Sequence, residues 1–281
     1  MRDDVATVRP VARLVKGVPA SDGAGVKLLR VIGTETLPDV DPFLLLDEIR
    51  SDSGEDYAAG FPDHPHRGFE TVTYVLAGRM RHGDNHGNSG LLTPGSVQWM
   101  TAGRGIVHSE MPEQEDGLMW GFQLWVNLPA KDKMIAPRYQ DIAPERVPEA
   151  VLAGGAKARV LAGSFAGITG PVEGIVTEPL LLDLTLPAGA SVTVPLPRGH
   201  HAFVYAFEGE ATVGTTALPR GSAAVLGEGD AALLGGGAKG GRVLLAAARP
   251  LGEPVARYGP FVMNDAAGIR QAVADYQAGR F

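Results

Sequence analysis

Four side chains that can bind a metal ion occur in two short, matching patterns. His64 and His66 are two residues apart, and so are His108 and Glu110. In an extended strand, residues two apart project from the same face, so each pair directs both side chains toward one point. Two such pairs on facing strands would bring three imidazoles and one carboxylate together. The pattern therefore predicts one metal site formed by these four residues.

Such a site would leave room for chemistry on the ion. Three neutral imidazoles and one carboxylate leave one or two positions of a six-coordinate ion open to water, O2 or substrate. Any one of the chain's seven histidines, taken alone, would more often be a structural residue. The inference depends on the pairing, which favours a metal site of catalytic type.

The remaining histidines carry a weaker signal. His82, Asp84 and His86 alternate, but they lie in a Gly- and Asn-rich stretch, where a solvated turn with local hydrogen bonds would satisfy them. His200 and His201 are adjacent, so in a strand they point to opposite faces. We therefore expect no metal in the second half of the chain.

The elements that must position these residues are short strands. Segments such as FETVTYVLAG, GSVQWMTAG and GLMWGFQLWVNLP are rich in β-branched and aromatic residues and are closed by glycine or proline. The 38 glycines and 21 prolines punctuate the whole chain in this way. Only the tail NDAAGIRQAVADYQ predicts a helix, capped by Asn264 or Asp265 and with Ile269, Val273 and Tyr276 at helical spacing. The prediction is an all-β protein with a short C-terminal helix.

The length and composition allow two separate cores. At 281 residues with 44% apolar side chains, two domains are the expected arrangement. We place an N-terminal metal-binding barrel at residues 1–130 and a polar, Pro-containing linker at 131–150. Residues 151–281 are then expected to form a second barrel without metal, together with the helix.

Several classes of function are excluded or disfavoured by composition. The net charge of −7 without a Lys/Arg-rich block argues against direct nucleic-acid binding. The chain has no cysteine, which excludes disulfides, Cys-ligated zinc and thiol nucleophiles. Neither a signal-peptide pattern nor an apolar run of about 20 residues is found, so we expect no membrane contact and a cytoplasmic protein. We also expect a monomer.

Two stretches resemble the signature of a known family. The segment FPDHPHRGFETVTYVL followed by GSVQWMTAGRGIVHSEMP is similar to the pirin family of the cupin superfamily, and EPVARYGPFVMND through DYQAGRF resembles pirin C-termini. The resemblance implies two cupin-type β-barrels and metal ligands at His64, His66, His108 and Glu110. Wider cupins also use a HxHxxxE pattern, which would make Glu70 a ligand. We prefer Glu110 and assign Glu70 a supporting or structural role.

The resemblance also implies a function. Several pirins are similar to quercetin 2,3-dioxygenases, so we expect a flavonol-like aromatic substrate, O2, and one divalent ion. Fe(II) is preferred, with Mn, Ni, Cu or Zn as alternatives. Glu110 would be a ligand or the catalytic base. The alternative is a non-enzymatic metal- or redox-sensing regulator that binds a transcription factor or a metabolic enzyme. Cupin sugar isomerases rank last, because only Arg67 and Arg104 accompany the motifs.

Overall fold

The chain forms two compact units, which are described separately. The computed structural model describes residues 7–281. Residues 1–6, which the sequence analysis includes in the N-terminal domain, lie outside the described residues. The site unit comprises Val18–Thr34, Asp41–Glu145 and Leu251–Phe281. The second unit comprises the segment up to Gly17 together with Glu35–Val40 and Arg146–Pro250.

Both units consist mainly of short antiparallel strands, which confirms the predicted all-β class. The first strands in chain order are β1 (Val11–Lys16), β2 (Val18–Asp22), β3 (Val26–Ile32), β4 (Phe43–Ser51), β5 (Phe61–His66), β6 (Phe69–Ala77), β7 (Met80–Asp84), β8 (Ser89–Leu92), β9 (Val97–Thr101), β10 (Ile106–Pro112), β11 (Met119–Asn127) and β12 (Arg138–Ile142). The later strands are β13 (Glu149–Val151), β14 (Lys157–Ala162), β15 (Ser164–Phe165), β16 (Ile168–Thr169), β17 (Leu180–Leu186), β18 (Ser191–Pro195), β19 (His201–Val213), β20 (Thr216–Pro219), β21 (Ser222–Leu226), β22 (Ala231–Ala248), β23 (Ala256–Tyr258) and β24 (Phe261–Met263). Short 3-10 turns lie at Gly54–Asp56, Ala130–Asp132, Pro144–Arg146 and Ala153–Gly155.

The site unit contains two larger antiparallel sheets and a small sheet formed by β23 and β24. One of the larger sheets has the strand order β12-β9-β6-β11-β4-β3-β2, and the other has the order β5-β10-β7-β8. Val26, Leu28, Ile49, Val75 and Met119 belong to one buried apolar cluster of this unit. Because side chains two residues apart share a face, Leu28 and Ile49 project from the same strand faces as Arg30 and Asp47.

The second unit is built on one continuous antiparallel sheet in the order β1-β21-β19-β22-β17-β14-β13, with β18 paired to β22 and β20 to β19. Its core consists almost entirely of Ala, Val and Leu side chains. Val204, Ala206 and Leu245 are among the fully buried members. Small and branched aliphatic residues pack densely on pleated strands, so they fill most of the interior of this unit.

The helix α1 (Ala266–Gln277) forms where the sequence predicts it. Of the two candidate caps, Asp265 is the N-cap, and its side chain accepts a hydrogen bond of 2.7 Å from the Gly268 amide. This bond satisfies one of the free amides of the first turn. Among residues 7–281, no helix has the length and apolar character needed to cross a membrane.

The observed units differ from the predicted domains in four segments, of which Glu35–Val40 is a short one that belongs to the second unit. Residues 251–281 belong to the site unit, because Phe261 bridges to Arg67 and Asp275 forms an ion pair with Arg67. The segment up to Gly17 belongs to the second unit, because β1 pairs with β21. The predicted linker at 131–150 is largely structured, since β12 pairs with β9. These assignments depend on contacts distant in sequence, which local patterns do not reveal.

Candidate metal centre

The two predicted ligand pairs lie on adjacent strands of the smaller sheet. β5 and β10 are antiparallel, with His64 opposite His108 and His66 opposite Ile106. An irregularity in the register after His108 then places Glu110 opposite Phe61. Strand parity and this pairing together direct the three imidazoles toward one point.

The three histidines form a compact cluster. Their candidate ligand nitrogens all lie within 4.8 Å of one another. The ring centroids of His64 and His108 are 4.4 Å apart, those of His64 and His66 are 4.7 Å apart, and those of His66 and His108 are 5.0 Å apart. His66 and His108 are buried and His64 is half-buried. The predicted convergence of these residues is therefore present in the structure.

The hydrogen bonding of the cluster suits a bound cation. Nδ1 of His64 lies 2.8 Å from the Pro62 carbonyl oxygen, so Nδ1 donates the hydrogen bond and Nε2 keeps a free lone pair. Nδ1 of His66 and both ring nitrogens of His108 are buried and have no hydrogen-bond partner. Buried polar nitrogens without partners are costly, and a metal ion would satisfy them.

The electrostatics of the cluster favour neutral imidazoles. Burial, followed by the neighbouring histidines, holds the pKa of His66 well below its usual range. Burial and His64 lower the pKa of His108 to about 3. Neutral imidazole is the form that ligates metals, so His66 and His108 are in the state that a divalent ion requires.

Glu110 lies beside the cluster but is held by protein donors. Its Oε1 accepts a hydrogen bond of 2.9 Å from Thr73, and its Oε2 accepts one of 3.0 Å from the Gln123 side-chain amide. Among the described residues, the group with mutual distances below 4.8 Å contains the three histidines and not Glu110. Ligation by Glu110 thus stays a prediction.

Glu70 lies on the other face of its strand. Thr73 contacts Glu110, and Glu70 is three positions earlier on β6, so its side chain projects to the opposite side. There its Oε1 accepts a hydrogen bond of 2.7 Å from Thr101, and burial raises its pKa. This arrangement favours the structural role assigned to Glu70.

A cavity of about 570 Å³ opens beside the histidines. Alternate residues of β3, β4 and β11 face it, as strand parity requires. Its lining includes Leu28, Arg30, Leu45, Asp47, Ile49, Phe61, Asp63, His64, His66, Glu110, Gln123, Trp125 and Arg257. The walls thus combine apolar and aromatic side chains with several polar and charged groups, which can orient a small molecule.

The sequence analysis missed the cavity's arginines. Arg67 and Arg104 are the arginines that accompany the motifs, and Arg67 is buried, where it donates to the Arg104 carbonyl and to Asp275. Arg30 and Arg257 line the cavity instead. Arg257 is far from the histidine motifs in sequence, so no local signal could have identified it.

The expectation for His82 was wrong. His82 lies on β7 rather than in a solvated turn, is buried, and places Nε2 3.1 Å from the Asp141 carboxylate. Asp84 does follow the prediction, because its carboxylate accepts hydrogen bonds from the backbone amides of His86 and Asn88. Pairing of β7 with β10 explains the burial of His82.

Two antiparallel β units, one of which encloses a three-histidine cluster next to a cavity, define a two-domain cupin with a candidate metal centre. The pirin family model matches residues 25–126, and the model of the pirin C-terminal cupin domain matches residues 181–281. The chain belongs to the pirin family.

Individual relatives agree with this assignment. A pirin-like protein of Caulobacter vibrioides is 50% identical over 98% of this chain and 99% of its own length. The structure of a quercetin 2,3-dioxygenase from Acinetobacter baumannii has a TM-score of 0.90 and 33% identity, with 98% of this chain and 99% of that chain covered. The pirin YhhW of Escherichia coli in complex with nickel(II) shares the fold, with a TM-score of 0.68 and 19% identity over 85% of this chain and 98% of that chain.

Proposed function

We propose that this protein is a metal-dependent dioxygenase that opens the heterocycle of flavonols such as quercetin with O2 and loss of CO. The observation that carries the proposal is the position of the three-histidine cluster, whose His64 and His66 form part of the wall of the 570 Å³ cavity. This volume is within the range typical of small-molecule sites. The likeness to the Acinetobacter protein, whose name describes this activity, gives further support.

His64, His66 and His108 would hold the ion, with Fe(II) as our first choice. Imidazole ligands discriminate weakly among first-row metals, so Mn, Ni, Cu and Zn are alternatives. The nickel complex of the E. coli pirin is consistent with this tolerance. When bound, a divalent ion supplies Lewis acidity, which lowers the pKa of a hydroxyl group on the substrate.

Glu110 is the residue best placed to receive that proton. The carboxylate lines the same cavity as His64 and His66, and Thr73 and Gln123 fix its orientation through one hydrogen bond to each oxygen. A positioned carboxylate next to a cation is a plausible general base. Ligation of the ion by Glu110 is the second role that we propose for it, and the apolar walls formed by Leu28, Ile49 and Phe61 would limit water access.

The test is turnover by the iron-loaded protein in air. We expect quercetin absorbance to fall with matching O2 uptake and CO release, and His64→Ala to abolish all three signals. Glu110→Gln should lower kcat by at least about 100-fold, as removal of a general base commonly does. Fully iron-loaded protein that neither consumes O2 nor changes quercetin would refute the dioxygenase proposal and favour the metal-sensing regulator.

A further inference from the structure

Two arginines line the cavity, and they differ in their carboxylate partners. The charge of Arg30 is neutralised by two neighbouring carboxylates. Its Nε and Nη2 donate to the two carboxylate oxygens of Asp47 at 2.9 and 2.7 Å, and Nη2 also lies 2.7 Å from Asp22. A bidentate pair with a second carboxylate leaves little capacity for a ligand.

Arg257 has no such partner. Its guanidinium carbon lies 4.6 Å from the centroid of the Trp125 ring, and its hydrogen bond to the protein is a long one, 3.4 Å to the Leu44 carbonyl. Within residues 7–281, no carboxylate lies within the 4.0 Å of Arg257 that defines an ion pair. The side chain is exposed to solvent and lines the cavity, so it is accessible to a ligand.

The aromatic residue beneath Arg257 connects it to the metal centre. The Trp125 ring lies 5.4 Å from the His66 ring and 4.3 Å from the Phe69 ring. Packing on Trp125 orients the guanidinium, and only its Nη1 has an acceptor among the described residues, so its other N–H groups can donate to a ligand. Arg257 is therefore an ordered donor group one ring away from a predicted metal ligand.

Of the two arginines in the cavity lining, Arg257 is the one that no carboxylate of the described residues pairs with. Asp22 and Asp47 are bound to Arg30, and the Glu110 carboxylate accepts two hydrogen bonds. Asp63 is the remaining acid of the lining, and it is exposed. An anionic oxygen placed at Arg257 would therefore meet a guanidinium that no carboxylate within residues 7–281 holds.

We propose that Arg257 is the anion-recognition residue of this cavity, where it binds an anionic oxygen of an aromatic ligand at a point separate from the histidine cluster. The ligand class is a planar aromatic oxyanion, either a phenolate such as an ionised flavonol or an aromatic carboxylate. The identification of the flavonol as one such ligand rests on the proposed function. The recognition itself does not need turnover.

The experiment measures dissociation constants with metal-free, full-length protein by isothermal titration calorimetry. Two pairs of probes are compared: 2-naphthoate with 2-naphthamide, which differ mainly in charge, and quercetin with unsubstituted flavone, which lacks every ionisable hydroxyl group of quercetin. The variants are Arg257→Gln, Arg257→Lys and, as a surface control in the second unit, Arg198→Gln, whose side chain is 78% exposed. Thermal unfolding of each variant verifies that the fold is intact.

We expect Arg257→Gln to weaken binding of the anionic probes about 10-fold, since charge-assisted hydrogen bonds are the strong ones. The neutral probes should change by less than about 2-fold, and Arg257→Lys should restore part of the loss because it keeps the charge. An effect confined to 2-naphthoate assigns the recognised group as a carboxylate, and one confined to quercetin assigns it as a phenolate.

Equal losses for charged and neutral probes would mean that Arg257 only packs on Trp125, and unchanged affinities would mean that it has no part in binding. Either result overturns the inference. The dioxygenase proposal stands or falls separately: discrimination at Arg257 without quercetin turnover removes the reaction and leaves the recognition site.

Discussion

The two units share antiparallel β architecture and differ in what fills them. The second unit is sealed by aliphatic side chains, with Val204, Ala206 and Leu245 fully buried. The site unit places His66 and His108 inside, next to a cavity of about 570 Å³. One unit thus uses its interior for packing and the other for ligands.

The two interiors should contribute differently to the free energy of unfolding. Dense aliphatic packing stabilises a domain through burial and dispersion contacts. A cavity forgoes those contacts, and buried imidazoles without partners add a cost of their own. The site unit therefore holds a cluster of three imidazoles that a metal ion could satisfy, and no comparable cluster is found among the described residues of the second unit. Matched substitutions in the two units test this contrast.

The largest effect should follow from removing a buried histidine. His108→Ala takes one of three converging imidazoles from the cluster, and we expect metal affinity to fall by at least about 100-fold, the upper end of the loss seen for outer-shell changes. The measurement is metal content after dialysis against a competing chelator, by inductively coupled plasma mass spectrometry.

The control lies in the other unit. His201 begins β19, is exposed, and is not part of the described metal cluster, so His201→Ala should keep full metal content. Equal metal loss in both variants would show that the ion is not held by the cluster.

Core truncations should separate the units by stability. Leu245 is fully buried among aliphatic side chains, so Leu245→Ala should lower the free energy of unfolding by about 2–5 kcal/mol. Leu28 already borders the cavity, has fewer partner atoms on that side, and should cost less than about 2 kcal/mol when changed to Ala. Urea denaturation followed by circular dichroism measures both, and a Leu28→Ala cost equal to that of Leu245→Ala would contradict the contrast.

How much of this contrast could be predicted from sequence depends on the range of the interaction. The convergence of His64, His66 and His108 could be predicted because parity along a strand is a local property. The cavity wall could not, because Trp125 and Arg257 meet only through the tertiary fold. For the same reason the helical spacing after Asp265 predicted α1 but not the unit to which it belongs. The reach of the Glu110 side chain depends equally on Thr73 and Gln123, on two other strands.

Lys133 offers a test of how the site unit tolerates a buried charge. Its ammonium donates to the carbonyls of Gly68 and Val262 at 2.8 and 3.1 Å and to the Asn127 side chain at 2.7 Å. Burial lowers the pKa of Lys133 to about 8, with a smaller opposing effect of Glu253. Lys133→Met leaves three buried acceptors without a donor, so we expect a loss of about 2 kcal/mol at pH 7.

The pH dependence has a definite sign. Because the folded pKa lies below the ordinary value of 10.5, the folded state binds the proton less tightly than the unfolded state does. The contribution of Lys133 to the unfolding free energy is therefore fully present above pH 10.5 and is lost as the pH falls through about 8. As the pH rises from 7 to 10.5, the unfolding free energy of the wild type should increase relative to that of the Lys133→Met variant by up to about 3 kcal/mol. Lys157→Met, at an exposed lysine of the second unit, should show no such divergence in the same denaturation series.

The smallest expected effect concerns one feature that both units share, a bidentate Arg–Asp pair between neighbouring strands. Arg30 binds Asp47 at 2.9 and 2.7 Å, and Arg242 binds Asp183 at 3.0 and 2.7 Å. A lysine cannot reproduce the two parallel hydrogen bonds, so Arg30→Lys and Arg242→Lys should each cost about 1 kcal/mol of unfolding free energy.

Ligand binding should distinguish the two pairs. Arg30 and Asp47 line the cavity, so Arg30→Lys should release part of the Asp47 charge into it and weaken quercetin binding by about 3-fold, as a partial loss of one charge-assisted contact would. Arg242→Lys should leave quercetin affinity unchanged, with both constants measured by titration calorimetry. If the two substitutions changed affinity equally, the cavity would not be the binding site. If only Arg30→Lys changes the affinity, the same type of Arg–Asp pair has two roles. It joins neighbouring strands in the second unit, and in the site unit it also shapes a binding site.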